Sequence, residues 1–190
     1  MKAGKLLLML GAVVLVTSCQ SLKQAKQPIT EHKISLPSTT SEVVNVSDLG
    51  LTNLDVSCYT NLLGLYCGGN HLKHLDVSAC TNIQDLQCWE NRLIELNVSA
   101  CARLEMLDCP QNQLTNLDVS ACASLQYLTC DSNSLRILDI SSNKTLTWVD
   151  ARRNPLTNIV VWWNPPAISN KPSTLWYFHY DGSPTFTYSP

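Results

Sequence analysis

Residues 93–113 read LIELNVSACARLEMLDCPQNQ, and residues 114–134 read LTNLDVSACASLQYLTCDSNS. Aligned without a gap, the two segments keep an aliphatic residue at the first, fourth, sixth, twelfth and fifteenth places. Cysteine recurs at the ninth and seventeenth, and asparagine at the twentieth. A fixed period of this length marks a chain wound into stacked coils, because one such unit cannot bury its own apolar edge and must share a core with its neighbours.

The register extends in both directions. Leu51, Leu72, Leu93, Leu114, Leu135 and Leu156 stand 21 residues apart, and Leu62, Ile83, Leu104, Leu125 and Leu146 hold the twelfth place. Cys67, Cys88, Cys109, Cys130 and then Ala151 form the seventeenth column, and Asn70, Asn91, Asn112, Asn133 and Asn154 the twentieth. Alternation of leucine and cysteine around one outward residue marks a short strand, and stacked copies make a parallel sheet. The asparagines are expected to bond backbone groups of the tight turn and of the neighbouring coil. The first half of each unit, L-x-x-L-D-V-S-x-C, is a weaker copy of the second, and Asn143 replaces cysteine at the matching place. Each coil should therefore have two extended faces, with no segment long enough for a helix.

Read from the twelfth place, the pattern L-x-x-L-x-C-x-x-N-x-L resembles the leucine-rich-repeat consensus over residues 51 to about 164. The resemblance implies a β-rich solenoid, a right-handed superhelix of short parallel strands with little or no helix. It is similar to the surface-displayed, internalin-like repeat proteins of bacteria, which implies non-catalytic recognition of a protein or peptide.

The ends of such a core must be sealed. Val43, Val44, Val46 and Leu49 read as a half-repeat that closes the N-terminal side, giving a solenoid over 42–164. The period fails at Pro165-Pro166, and eight of the thirteen aromatics fall within residues 162–190. Trp176, Phe178 and Tyr180 alternate with Tyr177 and His179. An Asp181-Gly182-Ser183-Pro184 turn and the pair Phe186 and Tyr188 follow, so residues 165–190 are expected to form an aromatic cap built as a hairpin or strand pair.

Upstream of the repeat, Lys2 and Lys5 precede an apolar run from Leu6 to Val16, too short to span a bilayer as a mature helix. Val16-Thr17-Ser18-Cys19 resembles the lipobox of bacterial lipoproteins. That implies a signal peptide over 1–18, lipidation of Cys19, and anchoring in the cell envelope. Gln20, where an aspartate would suggest inner-membrane retention, favours the outer membrane. Residues 19–41, polar and without periodicity, read as a flexible tether. Removal of residues 1–18 leaves 11 basic against 15 acidic side chains, a mildly acidic domain. No basic face is available to neutralise a nucleic-acid backbone.

Little in the sequence suggests chemistry. The cysteine columns, with Cys80, Cys101 and Cys122 in one and Cys58 displaced from it by one residue, read as buried, free thiols. No C-x-x-C pair offers zinc ligands. His32, His71, His74 and His179 do not recur from coil to coil, and His71 and His74 read as exposed turn residues. The column Asp55, Asp76, Asp118 and Asp139 supplies one carboxylate per coil, too few for calcium, and suits local bonding to the following serines. No cofactor and no catalytic constellation is expected.

Variation concentrates beside the inward residues of the second strand. There the unit carries Tyr66, Trp89, Glu90, Met106, Asp108, Tyr127, Asp131, Trp148, Asp150 and Arg152, large or charged side chains that cannot join the core. Aromatics among scattered acids suit a binding face, with Tyr66, Trp89, Met106, Tyr127 and Trp148 as anchors and the charged groups setting orientation. The same aromatics would also serve a glycan, and a structural subunit of an envelope complex would bury this surface permanently.

Overall fold

The computed structural model describes residues 42–163, 173–175 and 177–189. The expected signal peptide, the expected tether with Cys19 and His32, the Pro165-Pro166 break and Trp176 lie outside them. The described residues contain twelve short strands and no helix. They are β1 (Val43–Asn45), β2 (Gly64–Tyr66), β3 (His74–Asp76), β4 (Asp85–Gln87), β5 (Glu95–Asn97) and β6 (Met106–Asp108), then β7 (Tyr127–Thr129), β8 (Ile137–Asp139), β9 (Trp148–Asp150), β10 (Asn158–Val161), β11 (Tyr177–His179) and β12 (Thr185–Tyr188).

The second half of each unit builds one seven-stranded parallel sheet in the order β1-β2-β4-β6-β7-β9-β11. Within the repeat its register advances by one unit per strand, as in Met106↔Tyr127↔Trp148. The first half of each unit gives a less continuous second face, with β3 beside β5 and, further along, β8-β10-β12. The equivalent segments 53–55 and 116–118 lie outside any ladder. The duplicated half-repeat is thus expressed as two faces of each coil.

Between the faces lies a core of stacked identical side chains. Each strand of the long sheet from β1 to β9 buries its central residue, with Leu65, Leu86, Leu107, Leu128 and Val149 fully enclosed, and Phe178 at the centre of β11 is partly buried. Seven cysteines, Cys67, Cys88, Cys109 and Cys130 in one column and Cys80, Cys101 and Cys122 in the other, are free and buried. In the second column the thiols point at carbonyls of the preceding coil, as Cys101 does at Val77. Asn143 donates to Val119 O from the same place, so cysteine and asparagine fill one role in the duplicated half. Cys58, one residue out of column, is half-buried and not enclosed like the column cysteines. Tyr59, fully buried, takes the column position instead.

The asparagine ladder works as the pattern requires. Asn112 Nδ2 donates to Cys109 O of its own coil and to Cys88 O of the coil before, while Oδ1 accepts the Leu93 N–H at 2.9 Å. Asn70, Asn91, Asn133 and Asn154 repeat the arrangement. The residue just before the ladder position is left-handed in each coil: Asp48, Gly69, Glu90, Gln111, Ser132 and Arg153 all have positive φ. Only Gly69 adopts this without a side-chain penalty, and a Cβ there would also displace the Asp48 carboxylate, whose Oδ1 would lie 2.0 Å away.

On the N-terminal side β1 pairs in parallel with β2, with Val44 and Val46 buried and Val43 exposed. The C-terminal end corrects the sequence expectation. β11 and β12 do not pair as a hairpin; β11 joins β9 and β12 joins β10, both in parallel. The cap is therefore one further coil with a strand on each face. Leu175 is fully buried in it, and Phe178, Tyr180 and Phe186 pack edge-on or tilted over the end of the core.

Candidate binding surface

A parallel strand with its central residue inside turns its two flanking residues outward, so the long sheet displays two rows. The first runs Val43, Gly64, Asp85, Met106, Tyr127, Trp148, Tyr177, and the second Asn45, Tyr66, Gln87, Asp108, Thr129, Asp150, His179. Of the residues singled out from the sequence, Tyr66, Met106, Asp108, Tyr127, Trp148 and Asp150 lie in these rows. Trp89, Glu90, Asp131 and Arg152 lie on the turn beyond them.

The middle of the rows holds a depression of about 210 Å³, lined by Met106, Leu107, Asp108, Tyr127, Thr129 and Trp148. Tyr127 and Trp148 are 43% and 38% exposed, which is unusual for residues on a sheet whose central positions are sealed. On its far side Trp148 stacks on Tyr177 at 3.6 Å, and Tyr177 on His179 at 3.8 Å, both nearly coplanar. Tyr177 and His179 were not legible as site residues. The alternation of Tyr177, Phe178 and His179 matches the other strands, but the longer connection before it hides the register.

Two sequence-expected anchors are partly occupied with the scaffold. The Tyr66 ring folds back over Gly64, where a Cβ would sit 3.3 Å from its hydroxyl. Trp89 lies against Gly68, where a Cβ would come within 2.3 Å of the indole. Each aromatic thus uses a glycine as its seat, and the depression is formed by the other three.

The charged groups differ in how they are compensated. Asp150 is 7% exposed and held by Arg152 through both guanidinium edges, Nε at 3.0 Å and Nη2 at 2.6 Å. Burial would raise its pKa, but the Arg152 bonds outweigh burial and hold it below the ordinary carboxylate range. Asp131 pairs with Arg153 and accepts the Ser132 hydroxyl. Glu90, exposed, meets only the Gln111 amide at 3.4 Å. Asp85 accepts from Gln87. Asp108 accepts only the Thr129 hydroxyl, and burial pushes its carboxyl above the ordinary range.

A second depression, about 330 Å³, lies on the opposite face along Asn116, Leu117, Asp118, Ser120, Ile137, Asp139 and Ser142. Its carboxylates are already used: Asp118 accepts the Ser120 N–H and Asp139 the Ser141 N–H, both at 2.9 Å. Asp55 and Asp76 do the same with Ser57 and Ser78, as the repeat pattern suggested. His71 and His74 are exposed and engage different partners, Asn70 O and Glu95. Among the described residues no group of three or more His, Cys, Asp or Glu is arranged to hold a metal ion, and no helix is long and apolar enough to cross a membrane.

No family model and no curated protein sequence matches the chain. Solved structures do. The functional domain of InlJ from Listeria monocytogenes, described as including a cysteine ladder, is 30% identical over 70% of this chain, with a TM-score of 0.59. The leucine-rich repeat domain of APL1B is 22% identical over 63% of the chain, with a TM-score of 0.58. These matches span 33% and 40% of the two proteins' own lengths.

Proposed function

This chain being a leucine-rich-repeat solenoid, we propose that it is a non-catalytic lipoprotein of the bacterial cell envelope that binds a protein or peptide on its seven-stranded sheet. The observation that carries the reading is the uncovered apolar run Met106, Tyr127 and Trp148, with Tyr177 stacked behind it. A repeat whose inward columns are so uniform has no packing reason to place large side chains on its outer rows, and aromatics in a depression are what recognition surfaces use as anchors. Asp150 and Arg152, locked together, offer a rigid polar edge beside them. The likeness to internalin InlJ supports placement at the bacterial surface. The lipobox-like Val16-Thr17-Ser18-Cys19 supports a lipid at Cys19 and, with Gln20, the outer membrane.

Two experiments test this. Crosslinking and pull-down from intact cells, with the whole chain as bait, should capture a partner that is lost with Tyr127→Ala/Trp148→Ala; capture that survives the double variant rules out this face. Mass spectrometry of the mature N-terminus should find acyl chains on Cys19, and Cys19→Ala should release the protein from the membrane fraction. A free Cys19 thiol in the mature protein would refute the anchor.

A further inference from the structure

The acids on the binding face are unequal in a way the apolar depression alone does not explain. Asp150 and Asp131 each have an arginine of their own. Among the described residues Asp85 and Asp108 have no cationic partner, and they sit in neighbouring strands at one end of the depression. Asp108 is the more exposing case: half-buried, it is satisfied by a single hydroxyl, and Asp131 and Asp85 add like-charge repulsion. A half-buried carboxylate without a cation weakens the fold unless something else requires it. Met106 and Asp108 leave β6 on the same side, two residues apart, so a segment lying along that strand meets an apolar contact and a negative charge within about 7 Å.

Resting on the reading of this sheet as a protein-binding surface, we infer that the partner presents a large apolar side chain to the depression between Met106, Tyr127 and Trp148, with a lysine or arginine one or two residues along it facing Asp108. The depression is lined almost wholly by carbon, which suits an aliphatic or aromatic side chain better than a sugar. Arg152 and Arg153 are committed to Asp150 and Asp131, so the charge left over on this surface is negative and selects a cationic neighbour.

The test is selection of a random peptide display library on the whole chain, followed by affinity measurements on the selected peptides with wild-type protein, Asp108→Asn and Trp148→Ala. The expected peptides pair a large apolar residue with a nearby Lys or Arg. Their affinity should fall about tenfold with Asp108→Asn, fall again with added salt, and be lost with Trp148→Ala. Peptides lost with Trp148→Ala but neutral or acidic, and indifferent to Asp108→Asn and to salt, would overturn the inference while leaving the binding face intact. Peptides indifferent to both variants would remove the binding face as well. A glycan array signal abolished by Trp148→Ala, with no peptide selected, would replace the peptide partner by a sugar and also overturn the inference.

Discussion

Asn112 joins four backbone positions in two coils through one amide, accepting the Leu93 N–H and donating to the Cys88, Cys109 and Pro110 carbonyls. Replacing it by alanine strands the Leu93 N–H in the core, while the Cys88 and Cys109 carbonyls keep Asn91 and Asn133, so Asn112→Ala should cost about 2 kcal/mol. A shift of the urea midpoint to lower concentration at unchanged slope would report this. Asp108 acts in the opposite sense. Burial raises its folded-state pKa, so the folded chain holds the proton more tightly than the unfolded one, and stability falls as pH rises from the unfolded value through the folded one. Asp108→Asn should therefore raise the urea midpoint at neutral pH, and the gain should shrink below the carboxylate range; an equal gain at every pH would exclude the charge as its cause. Asp76 and Asp118 run the other way. The Ser78 and Ser120 bonds hold them below the ordinary range, so their contribution is present above the unfolded value and is lost as pH falls through the folded one.

Among the elements, β11 has the largest consequence for the site. It extends the long sheet by one strand and brings Tyr177 flat against Trp148, which leaves one indole face toward the depression. The stack should contribute about 1 kcal/mol. Tyr177→Ala should lower the urea midpoint accordingly and weaken partner capture, while Tyr177→Phe should preserve both. Loss of capture in Tyr177→Phe would point to the phenol and not the stack. The turn before each asparagine is a second element with a cost: Glu90, Gln111, Ser132 and Arg153 hold left-handed backbone that is unfavourable for side chains bearing a Cβ. Arg153 recovers part of it by bridging Asp131 and Ser132, and its backbone N–H reaches Asp181 of the final coil.

Over the whole molecule, each strand touches only its neighbours in the stack, so stability accumulates from coil to coil and the ends must be closed. The seven column thiols report on this directly. Burial pushes Cys80 and Cys101 up to about 11, and Cys67 and Cys122 up to about 12, so none of these four is a thiolate at neutral pH. Alkylation of the native protein at pH 8 should leave the columns unmodified until denaturant opens the coils. Modification of several thiols together at the unfolding midpoint would indicate one cooperative unit; modification of Cys130 well before Cys67 would mean that the C-terminal coils open first.

The repeat, the buried columns, the asparagine ladder and the absence of helix among the described residues were all determined by the sequence, because a 21-residue period repeats the same local constraint often enough to leave one solution. The outer rows were legible to the extent that Met106, Tyr127 and Trp148 could be placed on one face by counting. Only the tertiary structure decided what each side chain does there. Tyr66 and Trp89 settle onto glycines of the same or the preceding coil, and Asp131 and Asp150 are neutralised by arginines on the turn. Asp108 is left with a single hydroxyl. Tyr177 and His179 enter the row across a connection that breaks the period, and the expected hairpin becomes another coil. Periodicity fixes which positions face inward, since burial acts on every coil alike. Contacts between outward side chains of adjacent coils depend on their individual sizes and charges, and these become visible only once the coils are stacked.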